Sequence, residues 1–166
     1  YIQINKMYLY KITNVKVLIF IIYIIFAQSF AKAELIKPNN GIEPLQVVKI
    51  QLRSLKNNDQ IYKDAGIEQT WEFAHPNNRK YTGPLEKFKN MLKGESFSML
   101  LNHKEHKISE IFLSDDVATF EVIILDFNKE YFKFKWQVEK FNKNGPLKDC
   151  WLTTAVSSPV SMGSSI

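Results

Sequence analysis

The sequence predicts an α+β domain in which N-terminal helices pack on a curved antiparallel sheet. Three observations carry that prediction. Apolar residues recur at helical spacing from Glu43 to Gly94. From Ser96 onward the pattern turns to alternation, the period of strands. No helical stretch separates those strands, which excludes the crossovers a parallel sheet needs. The strands themselves are long, about ten residues against a usual five or six, and long strands twist and curl. A curled sheet with helices on its concave side makes a cone, and its open end is a natural pocket.

The chain begins with a segment set apart from that domain. Residues 17–27, Val-Leu-Ile-Phe-Ile-Ile-Tyr-Ile-Ile-Phe-Ala, are uncharged, follow Lys11 and Lys16, and precede Ala31-Lys32-Ala33. This is the layout of a secretory signal peptide, with Ala31 and Ala33 at the positions a signal peptidase reads. The uncharged core is well short of the roughly 20 apolar residues a spanning helix requires. Residues 1–33 therefore read as a leader, with Met7 a possible true start, and an uncleaved membrane anchor is the alternative. The expected location is exported: periplasmic, lumenal or extracellular.

Residues 34–42 read as a linker because Pro38 and Gly41 deny regular structure. Pro44 suits a first helical turn, where its missing N–H is not needed, and Leu45, Val48, Leu52 and Leu55 then share one face. Asp64 is placed to cap a second helix carrying Ile67, Trp71 and Ala74, which the His75-Pro76 step ends. Residues 75–82 read as a polar loop. Gly83-Pro84-Leu85-Glu86 opens a third helix, with Glu86 placed to reach back to the cap amide, buried through Leu85, Phe88 and Leu92, and ended by Gly94.

A strand or a pair of strands is expected over 97–113, and single strands over 117–127, 131–140 and about 148–156. In 131–140, Phe132, Phe134, Trp136 and Val138 alternate with Lys133, Lys135, Gln137 and Glu139, giving one packed face and one wet face. Residues 117–127 are apolar on both faces, as a central strand covered on both sides or facing a partner subunit would be. The single domain spans 43–156, and the serine-rich stretch 157–166 reads as a flexible tail.

Composition narrows the function. The formal charge is +5, with 22 basic and 17 acidic residues, yet the leader alone holds Lys6, Lys11, Lys16 and Lys32 and no acid. Without it, bases and acids nearly balance, so the electrostatic footprint of a nucleic-acid binder is missing. The one cysteine, Cys150, has no partner for an internal disulfide and reads as a small buried residue beside Trp151 and Leu152. No G-x-S-x-G element and no glycine-rich phosphate loop is present. No cofactor is expected.

The stretch from His75 to Thr82 gathers an imidazole, two amides, a guanidinium and a phenol, so His75, Asn78, Arg79 and Tyr81 are candidates for a polar rim around a small anionic or carbonyl ligand. The plainer alternative is turn chemistry, with Arg79 paired to Glu72 or Glu86. Trp71 and Trp136 are candidates for a cone lining, and also ordinary core. His103 and His106 flank Glu105 but, on a strand three residues apart, point to opposite sides, so no metal site is expected and a charged edge strand is the simpler reading. Asp126 ends an apolar strand on the side of Phe120, Val122 and Ile124, as a candidate buried base or a hairpin-shaping residue.

Several pieces also occur in an order that resembles a known family. They are Pro44-Leu45-Gln46-Val47-Val48, Asp64-Ala65-Gly66-Ile67, Phe73-Ala74-His75-Pro76-Asn77-Asn78-Arg79, Thr82-Gly83-Pro84-Leu85-Glu86-Lys87-Phe88, Leu101-Asn102-His103-Lys104-Glu105-His106-Lys107-Ile108 and Cys150-Trp151-Leu152-Thr153. Together they resemble the uncharacterised domain-of-unknown-function 4864 family. The resemblance implies a relation to the nuclear-transport-factor-two-like superfamily, which also holds ketosteroid isomerase and the SnoaL-like polyketide cyclases. It implies a cone fold but no established activity. By that relation Asp126 or His75 becomes a weak candidate for a catalytic base and Tyr81 for its hydrogen-bonding partner. The expected function is a non-enzymatic exported domain that binds a small apolar or anionic ligand or another protein. The alternatives are an isomerase, cyclase or dehydratase, and a structural homodimer formed through the sheet.

Overall fold

A computed structural model describes residues 34–164. The leader read over 1–33 and the last two residues lie outside the described residues. Among them are four α-helices, α1 (Pro44–Lys56), α2 (Ala65–Glu72), α3 (Pro76–Thr82) and α4 (Leu85–Lys93), then a 3-10 turn (Ser98–Leu100). Five strands follow: β1 (Glu105–Leu113), β2 (Val117–Leu125), β3 (Glu130–Lys140), β4 (Trp151–Val156) and β5 (Val160–Ser164). The class is the expected one, α+β with an antiparallel sheet. No helix among the described residues is long and apolar enough to cross a membrane.

The sheet runs in the order β1-β2-β3-β4 and is open, with β5 also on β3. One side of β3 serves both neighbours: Glu130 to Lys133 pair with β5, and Trp136 to Lys140 pair with β4. Register sets the core. Ile108 faces Val122, which faces Phe134, and Phe120 faces Trp136. Irregularities between Glu110 and Phe112, Tyr131 and Phe132, and Gln137 and Val138 bend the strands there.

Helix α1 lays Val47, Val48, Gln51, Leu52 and Leu55 against this face, starting from Pro44 in its first turn. The expected cone is thereby filled. Phe73, Phe120, Phe134 and Trp136 are each at most 1% exposed and pack with α1 into one core. Strand β2 is central as expected, but only its Ala118, Phe120, Val122 and Ile124 side is fully covered by apolar packing. Val117, Ile123 and Leu125 on the other side are half-buried.

Four expectations are corrected by local geometry. Residues 75–82 form helix α3 instead of a loop. Pro76 cannot continue α2 but is well placed to begin a helix, and His75 Nδ1 accepts the Asn77 N–H in the first turn at 3.0 Å. Asp64 does not cap α2 through its side chain. Its φ is 67° and its carboxylate pairs with Lys93 at 2.7 Å. The start of α2 is held from outside by Asn58, whose backbone oxygen takes the Gly66 N–H and whose side-chain oxygen takes the Ile67 N–H, both at 3.0 Å. Glu86 makes no cap and pairs with Lys89 at 3.2 Å. Finally, part of the expected tail forms β5, because β3 is long enough to offer pairing beyond the end of β4.

Gly66 marks the tightest approach of two helices. A Cβ there would run into the Ser54 carbonyl and the Asn58 backbone, neither of which is a flexible group. Gly66→Ala is expected to lower stability by about 3 kcal/mol, at the upper end of overpacking costs. Gly94→Ala, at a φ of −73° with the Met91 and Asn90 carbonyls 3.3 and 3.5 Å from an added Cβ, is expected to change it by no more than about 1 kcal/mol. Urea unfolding of the two variants checks this contrast.

Candidate functional site

The residues singled out in the sequence fall into separate groups, and most are bound into the fold. Trp136 is core. Its Nε1–H donates to Gln51 Oε1 at 3.1 Å and to Thr153 Oγ1 at 3.3 Å. Thr153 Oγ1–H donates to the same Gln51 oxygen at 2.6 Å, and Gln51 Nε2 donates to the Thr70 carbonyl at 3.0 Å. This buried network joins α1, α2, β3 and β4. Sequence reasoning missed Gln51, although an amide among Val48, Leu52 and Leu55 on one helical face signals a buried polar group that needs partners.

The segment from Trp71 to Tyr81 wraps the end of α2. Arg79 pairs with neither Glu72 nor Glu86 through its side chain. Its Nη2 donates to the Trp71 and Glu72 carbonyls at 2.7 and 3.1 Å, and its Nε to the Ala74 carbonyl at 3.1 Å. The guanidinium also lies 4.9 Å from the centroid of the Trp71 ring, which in turn packs against Phe88 at 5.0 Å. Burial pulls the Arg79 pKa below its ordinary value, with Glu72 opposing. Arg79 thus satisfies carbonyls that α2 leaves open at its C-terminus. Asn78 Nδ2 donates to the Thr153 carbonyl at 3.3 Å, docking α3 on β4.

His75 is a poor base by geometry. Its Nδ1 accepts the Asn77 amide, so a neutral ring carries its proton on Nε2 and its only lone pair is committed to starting α3. The ring lies 5.4 Å from Phe141, and burial lowers its pKa, with Glu139 opposing and Lys143 adding to the effect. Asp126 is 5% exposed, and both carboxylate oxygens serve the β2–β3 turn. Oδ1 accepts the Glu130 N–H at 2.9 Å, and Oδ2 accepts from Asn128 Nδ2 at 3.4 Å. The hairpin-shaping alternative is the one observed. Tyr81 is 85% exposed on α3, outside any closed pocket. The structure thus brings Trp71 and Arg79 together, sets His75 and Asn78 on β4, and does not join any of them to Asp126.

His103 and His106 do meet, against expectation. His103 lies before β1, not in it, so the strand rule does not separate the two rings. His103 Nε2 stands 2.7 Å from His106 Nδ1, and His103 Nδ1 stands 2.8 Å from the Leu100 carbonyl. Burial lowers both pKa values, that of His103 to about 4, and Lys56 adds to each effect. Strand β1 is an edge of the sheet, as read from its charges. No group of three or more metal-ligating side chains occurs among the described residues. Cys150 is buried as expected, and its thiol pKa is raised by burial and Asp149.

A concavity lies elsewhere among the described residues. An open cleft of about 670 Å³ is lined by Asn40, Glu43, Pro44, Leu113, Ser114, Asp115, Lys140, Asp149 and Trp151. Six of those nine side chains are polar or charged, and Lys140 stands 5.0 Å over the Trp151 ring. No candidate picked from the sequence for catalysis or ligand binding lines it. Beside it, Ile111, Phe112 and Leu113 of β1 are 56%, 53% and 52% exposed.

Among known proteins, no family model matches this chain, and neither a curated protein nor a solved structure matches it.

Removing the Arg79 guanidinium leaves three carbonyls without this donor. Arg79→Met is expected to destabilise the domain by about 2 kcal/mol, and Arg79→Lys to recover little, because an ammonium lacks the planar fork. Tyr81→Phe is expected to be neutral within about 0.5 kcal/mol. Denaturant midpoints of the three variants decide whether this segment is a cap or a ligand rim.

Proposed function

We propose that this chain is an exported, non-enzymatic binding domain that engages a protein partner along the β1 edge. The observation that carries the reading is the state of that edge. Strand β1 pairs with β2 on one side only, and it ends in three consecutive apolar residues that are each more than half exposed. Long edges with exposed apolar side chains invite another strand, and proteins that do not use them defend them with charge. The non-enzymatic part is supported by the commitments of His75 and Asp126, whose acceptor atoms hold a helix start and a turn. Those same commitments weaken the isomerase, cyclase or dehydratase alternative. The exported part rests on the leader pattern of residues 1–33. Kinship with the domain-of-unknown-function 4864 family and its cone-fold superfamily belongs to this proposal and rests on the motifs quoted above.

A small-ligand reading has one observation of its own, the cleft between Pro44, Leu113 and Trp151. Pockets of this volume suit small molecules, but this one is open and carries Glu43, Asp115 and Asp149 against a single Lys140.

Peptide-display selection on the purified protein tests the edge reading. The expected winners are extended segments with apolar residues at every second position. Phe112→Glu is expected to weaken them by about tenfold or more with an unchanged circular dichroism spectrum. Binding indifferent to that substitution overturns the edge. Native mass spectrometry of the protein from its own host separates the other readings: a retained small molecule favours the cleft, and a dimer dissolved by Phe112→Glu makes a second copy the partner.

A further inference from the structure

The two histidines before and at the start of β1 form a chain with a fixed direction. The Leu100 carbonyl only accepts, so His103 Nδ1 carries a proton. A neutral His103 then has a bare Nε2, and the 2.7 Å contact requires His106 to donate from its Nδ1. His106 Nε2 is left as the lone pair at the outer end. His103 is 2% exposed and His106 is half-buried, so a first proton settles on His106 Nε2 and leaves both bonds standing. A second proton has only His103 Nε2 to occupy. It sets N–H against N–H and one cation against another, with one of the two rings buried.

The charges around the pair give no relief. Lys56, at the end of α1, disfavours protonation of both rings. Across β2, His106 faces the uncharged Ile124. Asp59, beyond α1, is engaged by the Asp64 amide at 2.9 Å and by Asn102 Nδ2 at 3.2 Å. Lys104 stands over the Phe127 ring at 5.4 Å, Glu105 is exposed, and Asp126 is committed to its turn.

The same short segment is fastened to two elements. The Asn102 N–H donates to the Leu55 carbonyl at the end of α1 at 2.9 Å, and the Lys104 N–H donates to the Leu125 carbonyl of β2 at 2.8 Å. We propose that the His103–His106 pair is an acid-operated latch, which holds residues 101–106 against α1 and β2 and releases them when the pair takes up its second proton. The latch stands independently of any partner at the other end of β1.

The direction follows from linkage. His103 titrates near 6.5 when released and near 4 when latched. The latch is therefore fully effective above about pH 6.5 and is lost as pH falls through about 4, because the open form binds protons more readily in between. Amide hydrogen exchange reads it. Protection of the Asn102 and Lys104 amides, corrected for the intrinsic pH dependence, is expected to fall roughly forty-fold from pH 6.5 to pH 4.5. The amides of β2 and β3 are expected to hold. His103→Gln supplies a donor to Leu100 and an acceptor for His106 without a titrating ring, and is expected to keep both amides protected at pH 4.5. Unchanged protection in the natural protein, equal loss in His103→Gln, or simultaneous loss across β2 and β3 overturns the latch. If His103→Gln does not fold, the ring-nitrogen spectrum of the natural protein decides. His103 Nε2 must remain bare down to the pH at which the two amides open, and a protonated His103 with both amides still protected refutes the proposal.

Discussion

The amide of Gln51 sits where the first helix meets the sheet, 1% exposed and hydrogen-bonded to three elements at once. Burying an amide without partners costs roughly 1–3 kcal/mol, so each of those bonds is enforced by the cost of losing it. Apolar packing alone lets a helix slide or rotate on a sheet at little expense, because one Leu contact is much like the next. The amide removes that freedom. Its oxygen must meet both the Trp136 N–H and the Thr153 hydroxyl, which fixes β3 against β4, and its nitrogen must meet the Thr70 carbonyl, which fixes α2. None of the buried side-chain nitrogens and oxygens among the described residues lacks a partner, so the network closes without a debt.

The helices are short, and their ends are held from a distance. The 8-residue α2 is too short to be stable alone, and it receives its N-terminal partner from Asn58 and its C-terminal partner from Arg79. The 13-residue α1 gives its Leu55 carbonyl to the Asn102 amide. Each of these partners lies outside the helix it serves, Asn58 and Asn102 in turns and Arg79 in α3, so the ends are held by groups beyond the helix itself. This also accounts for where the polar residues of 71–79 went. Of the groups that look like a ligand rim in one dimension, the guanidinium ends α2, the imidazole starts α3 and the Asn78 amide docks α3 on β4.

What the sequence made legible follows the same division. Helices α1 and α4 and strands β2 and β3 were readable because apolar spacing is a local signal that packing then obeys, as Val48, Leu52 and Leu55 or Phe134, Trp136 and Val138 do. Helix α3 was not, since Asn77, Asn78, Arg79 and Lys80 show no apolar period and a proline reads as a stop before it reads as a start. Strand β5 was not, because its serines and glycine form a strand only through the free half of β3. Gln51 was visible as an anomaly, but its partners lie 19, 85 and 102 residues away, and no spacing rule reaches that far. The histidine pair was misjudged by one boundary: moving His103 out of the strand turned two opposed rings into a hydrogen-bonded pair.

Strand β1 joins the interior to the surface unevenly. Its first half carries Glu105 and Lys107 and follows Lys104, and charges of that kind deter accidental pairing. After Glu110 the register shifts, so that Phe112 falls opposite Thr119 and Leu113 opposite Ala118, and Ile111 has no place in the alternation. A bulge at a sheet edge re-aims side chains, and here it presents three apolar residues in succession where strict alternation would have turned some of them inward. The charged half follows a segment tied to α1 by the Asn102 N–H on the Leu55 carbonyl, while the apolar half ends in the turn to β2. Under the proposed edge reading, a strand defended at one end and open at the other would direct an incoming backbone to its open half, which disfavours indiscriminate edge-to-edge growth.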